Sequence, residues 1–182
     1  PTDINAQWGV PNIQRTYAEQ GTQNFGVVRL GMRVNQFTEQ WTSLIIAKTG
    51  TGPDSDITNV RIWKDQDGNA SFAPAADGPA IAADAVFSTN SVTVNLASPE
   101  LLEETTKYYF VSYSLANSAL PGNTHGLKFT AKTVFSFVSG NPSVADPPDY
   151  AAIGSTSPFP YQTVTSSVSA TVDDLIITND AS

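Results

Sequence analysis

Apolar and polar residues alternate with a period of two along most of this chain, and that period builds sheets. The N-terminus sets the pattern. Ile4, Ala6, Trp8 and Val10 form an apolar stripe, with Asp3, Asn5, Gln7 and Gly9 between them. Pro11 ends the run, and a polar stretch from Asn12 to Asn24 precedes the next strand. A terminal strand with one apolar face has to bury that face against a sheet, either its own or a neighbour's.

The same alternation continues through Val28, Leu30, Met32 and Val34. Further strands are expected over 41–48, 57–64, 81–87, 108–115, 127–138 and 163–178. Thr89-Asn90 reads as a tight turn into Val92, Val94 and Leu96. Helical signals are confined to Ser98–Glu104, where a capping serine, a proline at the first position and three acids predict a single turn. Many short strands without helices predict an all-β fold. The expected form is a two-sheet antiparallel sandwich, jelly-roll or Ig-like, with a protruding N-terminal strand. Residues 1–23 are expected to be a donor strand and its leash, and 24–182 the sandwich domain. Within that domain, Pro142, Pro147, Pro148, Pro158 and Pro160 argue against a central strand over 139–162. Tyr150, Phe159 and Tyr161 suggest an ordered surface excursion there.

Composition removes several function classes. The 182 residues include no cysteine and one histidine, His125, so disulfides, thiolate metal sites and His-pair metal sites are excluded. A formal net charge of -8, with only 14% charged residues, disfavours nucleic acid and anionic membranes as partners. No apolar run approaches the ~20 residues that span a bilayer, so no membrane insertion is expected of the mature form. A chain that starts at Pro1 and is rich in Ser, Thr, Asn and Ala reads as a processed protein, extracellular or at the cell surface.

The sharpest local motif is the run from Trp63 to Phe72. Asp65, Asp67 and Asn69 at alternate positions can point oxygens at one hard cation, Gly68 permits the tight turn, and the Ser71 carbonyl can add another ligand. This resembles the opening of an EF-hand-type calcium loop, with two departures. Ala70 replaces the glycine, and Ala76 replaces the closing acid, with Asp77 one residue further on. The competing reading is a turn capped by its own side chains. Asn69-Ala70-Ser71 is also a glycosylation sequon, so Asn69 is a candidate glycan site.

Signals for catalysis are weaker. His125 follows Pro121-Gly122-Asn123 and is expected to be an exposed loop histidine. The adjacent pairs Glu103-Glu104 and Asp173-Asp174 point to opposite faces of a strand, so neither makes an acid/base couple. No catalytic residue is assigned, and the chain is expected not to be an enzyme. Tyr108, Tyr109, Tyr113 and the tryptophans suit either sugar stacking or a core, and strand spacing favours the core.

The block from Asn24 to Tyr113 carries a resemblance. Val27-Val28-Arg29-Leu30, Ser43-Leu44-Ile45-Ile46, Asn59-Val60-Arg61-Ile62-Trp63, the Asp65–Asn69 turn and Tyr108-Tyr109-Phe110-Val111 follow in order. This arrangement resembles β-sandwich modules of secreted bacterial and archaeal surface proteins. More distantly it is similar in architecture to donor-strand filament subunits, the camelysin-type biofilm fibres and archaeal bundling pili. That resemblance implies a structural subunit of an extracellular filament or pilus, polymerising head-to-tail with identical neighbours. Ile4, Ala6, Trp8 and Val10 would form the exchanged strand, with the run Val164–Val172 as the second choice of donor. Burying Ile4, Trp8 and Val10 would contribute roughly 1.5–3 kcal/mol each. The alternative is a monomeric extracellular carbohydrate- or surface-binding module, calcium-dependent through Asp65, Asp67, Asn69, Ser71 and Asp77.

Overall fold

The computed structural model describes residues 2–7, 17–34, 37–129, 132–139 and 162–165. Among the described residues ten strands form two sheets: β1 (Thr2–Gln7), β2 (Tyr17–Glu19), β3 (Phe25–Val34), β4 (Glu39–Thr49), β5 (Ile57–Lys64), β6 (Ser91–Leu102), β7 (Lys107–Leu115), β8 (Thr124–Lys128), β9 (Phe135–Phe137) and β10 (Gln162–Thr165). The first sheet has the order β1-β3-β7-β5. The second runs β2-β10-β8-β4-β6, with β9 also on β4. Every pairing among these described strands is antiparallel except β10 with β2. The all-β, two-sheet sandwich expected from the alternation is therefore the fold.

The core lies between the sheets and follows the alternation. Leu30 and Met32 of β3, Ile62 of β5, and Tyr109 and Tyr113 of β7 meet Trp41, Leu44 and Ile46 of β4 and Leu102 of β6, all fully buried. Trp41 and Tyr109 join the two sheets edge-to-face, with ring centroids 5.2 Å apart. The Trp41 indole donates to the Ser43 carbonyl at 2.7 Å, so its one polar atom is satisfied. Most strand aromatics thus belong to the interior and are closed to sugars.

The expectations for strand 127–138, segment 81–87 and Ser98–Glu104 require correction. The strand expected over 127–138 is broken into β8 and β9, which pair with successive parts of β4 on either side of a 3-10 turn at Lys132–Val134. Segment 81–87 is not a regular strand. It crosses from one sheet to the other, bridging Val60 through Ala85 and Leu96 through Ala82, and Arg61 clamps it by gripping both carboxylate oxygens of Asp84. The turn expected at Ser98–Glu104 is mostly the end of β6. Asn95 faces Ser43 and Glu100 faces Trp41, so β6 carries extra residues there. Pro99 falls in that bulge, where its missing N–H breaks no ladder bond.

The N-terminal strand also differs from expectation. Instead of protruding, β1 lies along β3 of its own chain, from Thr2 opposite Val34 to Gln7 opposite Arg29. Part of the supposed leash, Tyr17–Glu19, is itself strand β2 in the second sheet. β10 is inserted between β2 and β8 and includes the first two residues of the C-terminal run, Val164 and Thr165. The remainder of that run and the proline-rich excursion over 140–161 lie outside the described residues.

Candidate functional site

Two places on the sandwich carry the sequence-predicted site residues: the β1 edge and the loop after β5. At the edge, Ile4 is opposite Met32 and Ala6 opposite Leu30, and both β3 residues are fully buried. Trp8 and Val10 lie outside the described residues.

The loop after β5 folds back over the outer face of the first sheet. Phe72 packs on Trp63 at 5.6 Å and on Phe110 at 5.4 Å between ring centroids. Together with Ala80 they form a small second core. The Trp63 indole donates to the Ser112 hydroxyl at 2.8 Å. Covering this face explains why β7 is buried on both sides along most of its length.

Above that cluster the acidic turn is held by its own backbone. Asp65 accepts from the Gly68 N–H through Oδ1 and from the Ala70 N–H through Oδ2, each at 2.9 Å. Asp67 accepts from the Asn69 N–H at 3.1 Å and from the Asn69 side-chain amide at 2.7 Å. Asn69 turns its own Oδ1 to the Ser71 N–H at 2.6 Å. Ala70 takes a positive φ of 57°, in place of the usual glycine.

Asp77 returns to this turn from further along the chain. Its Oδ2 accepts from the Ala73 N–H at 2.6 Å. The residue is fully buried, and its Oδ1 has no hydrogen-bond partner. Asp65, Asp67 and Asp77 each bring a carboxylate oxygen within 4.8 Å of the others. Burial pushes the Asp77 carboxyl above its ordinary pKa, and the neighbouring charges of Asp65 and Asp67 push the same way, against N–H groups of Ala73 and Gln66. Gly78 makes the approach feasible: at φ +71° a Cβ there would come within 2.6 Å of the Gln66 side-chain amide. Asn69 is exposed, as a glycan acceptor must be, with its amide engaged by Asp67.

His125 is not an exposed loop residue. The turn ends at Asn123, and His125 lies inside β8, fully buried. Its Nε2 is 3.1 Å from Asp56 Oδ2, which also accepts from the Asn123 side chain at 2.9 Å. The buried Lys48 reaches the Gly52 carbonyl and Asp54 at the same end of the sandwich. Among the described residues His125 Nδ1 has no hydrogen-bond partner, so no described hydroxyl is coupled to the ring as an activated nucleophile would be. The sequence did not reveal this polar brace, because its members are far apart along the chain.

Among the described residues no helix is long and apolar enough to cross a membrane. No family model matches the chain, and no curated protein matches it. Among solved structures, the chain is similar to a type III cohesin module from the cellulosomal cell-surface anchoring scaffoldin ScaE of Ruminococcus flavefaciens. The identity is 16%, over 91% of this chain and 86% of that one, with a TM-score of 0.26.

Proposed function

We propose that this chain is an extracellular, surface-associated β-sandwich module without catalytic activity. In this reading it links to further copies of itself by exchanging β1, giving a filament. The β1–β3 ladder carries the reading. It joins β1 to the edge of the first sheet in a continuous six-residue register, with Ile4 at the position opposite Met32 and Ala6 at the position opposite Leu30, both β3 residues buried. A strand that completes its own sheet can complete a neighbour's through the same contacts, and such head-to-tail exchange does not close on itself. Nine residues, 8–16, connect β1 to β2, and they can span about 30 Å at most. Exchange also covers the edge of β3, which would otherwise invite unspecific pairing.

A second reading is favoured by β1 lying on its own chain: a closed monomer that binds a surface or a glycan. Deleting residues 1–11 separates the two. In the strand-exchange reading the truncated protein still folds, less stably, and no longer assembles. Ala6→Asp, which places a charge opposite buried Leu30, should impair assembly in the same way. Fibres formed by the truncated protein would overturn strand exchange. Native material that stays monomeric and binds glycans would establish the second reading.

A further inference from the structure

We propose that Asp65, Asp67 and Asp77 form a binding site for a hard divalent cation of the calcium class. The inference stands apart from strand exchange and concerns the loop over the outer face of the first sheet.

Three observations meet at this point. Oxygens on a common calcium ion lie 2.3–2.6 Å from it, so two of them are at most about 5 Å apart. The three carboxylates satisfy that limit, with oxygens within 4.8 Å of one another. Next, Asp77 is fully buried and its Oδ1 lacks a hydrogen bond of full geometry, so the nearby Gln66 N–H offsets only part of the cost of its charge, which a cation would meet. Finally, the charges that act on Asp77 are the negative ones of Asp65 and Asp67, and Lys64, at the end of β5 beside the loop, pairs with Glu100.

The donor set selects the ion. It is all oxygen, and the single histidine is buried elsewhere against Asp56, so zinc and copper are disfavoured. Asp65 and Asp67 are oriented by backbone N–H groups and keep lone pairs for a cation. Asp67 is exposed, leaving room for the waters that complete a flexible shell of six to eight ligands. The departures from an EF-hand now have a physical reading. Asp77 supplies the closing acid one residue late, and Gly78 allows the chain to bring it in beside Gln66. Asn69 braces Asp67 and Ser71.

The test uses the full chain, stripped with a chelator and titrated with calcium chloride. Calorimetry should give one site with Kd of ~10⁻⁴–10⁻³ M, the range of extracellular modules. At saturating calcium the melting temperature should rise by a few degrees. Asp67→Asn, at an exposed position, should fold normally and weaken binding about tenfold or more. Asp77→Asn should melt at or above the chelated wild type and lose the calcium response. Absence of a calcium heat and of a melting shift in the wild type would overturn the site. So would a shift of equal size in Asp77→Asn, or one that magnesium reproduces at the same concentration.

Discussion

Arg29 of β3 donates from Nη1 to the Ala70 carbonyl at 3.1 Å, tying the acidic loop to the strand that carries β1. Its guanidinium also lies over the Tyr108 ring, 5.1 Å from the centroid, and its backbone faces Gln7 across the ladder. One residue therefore touches both candidate sites, the loop through its side chain and β1 through its backbone. Replacing it with alanine should cost about 1–2 kcal/mol, from a charge-assisted hydrogen bond and a cation–π contact. Urea unfolding of Arg29→Ala measures this, and an unchanged midpoint would contradict the bracing role. Arg29→Lys should recover only part of the loss, since an ammonium lacks the planar fork.

Phe72 pins the loop to the sheet through Trp63 and Phe110. It is half-buried, so Phe72→Ala should cost less than the ~3–5 kcal/mol of a fully buried phenylalanine. The same variant should weaken calcium binding, because the carboxylates lose their support. Unfolding and calorimetry on one sample read both effects. A stability loss with undiminished calcium affinity would show that the turn holds itself.

Trp41 links the sheets through Tyr109 and is fully buried. Trp41→Ala should cost ~3–5 kcal/mol, enough to unfold a marginal domain. Trp41→Phe should retain much of the packing and lose only the indole donor to Ser43. Thermal unfolding of the pair distinguishes a packing role from a hydrogen-bonding one.

His125 should make the fold acid-sensitive. Burial lowers its pKa below the ordinary 6.5, Asp56 opposes that shift, and Lys48 adds to it. The neutral ring is therefore the folded form. Its contribution is fully present above pH 6.5 and is lost as pH falls through the lowered folded value. The melting temperature should drop between about pH 7 and pH 5. His125→Gln should flatten that part of the profile, and a wild-type profile already flat there would contradict the assignment. Gly52→Ala should damage the same brace, since its Cβ would collide with the imidazole.

The sheets were legible where the strand pattern coincided with a long ladder to one neighbour, as in β3, β5 and β7, whose β3–β7 and β5–β7 ladders are each broken by only a single register shift near one end. The Thr89-Asn90 turn was legible from its residues, and both adopt the left-handed backbone, at φ 52° and 60°. Ser98–Glu104 misled because its capping signals are local, whereas pairing of β6 with β4 is not. Segment 81–87 has the right period and no single neighbour along its length. His125 was misplaced because the residue that buries it, Asp56, lies 69 positions away. At the acidic loop, the sequence named Asp77 as an oxygen donor. Its burial and unpartnered oxygen depend on how the chain returns over Trp63, which no local pattern records.

The most direct measurement of strand exchange uses the absence of native cysteine. Asp3 and Arg33 are directly opposed in the β1–β3 ladder, and Arg33 is exposed. The double variant Asp3→Cys/Arg33→Cys, oxidised under assembly conditions, forms one disulfide per ladder. On a non-reducing denaturing gel, exchange between subunits predicts a ladder of covalent multimers that collapses on reduction. A single monomer band, oxidised within its own chain, would contradict the account.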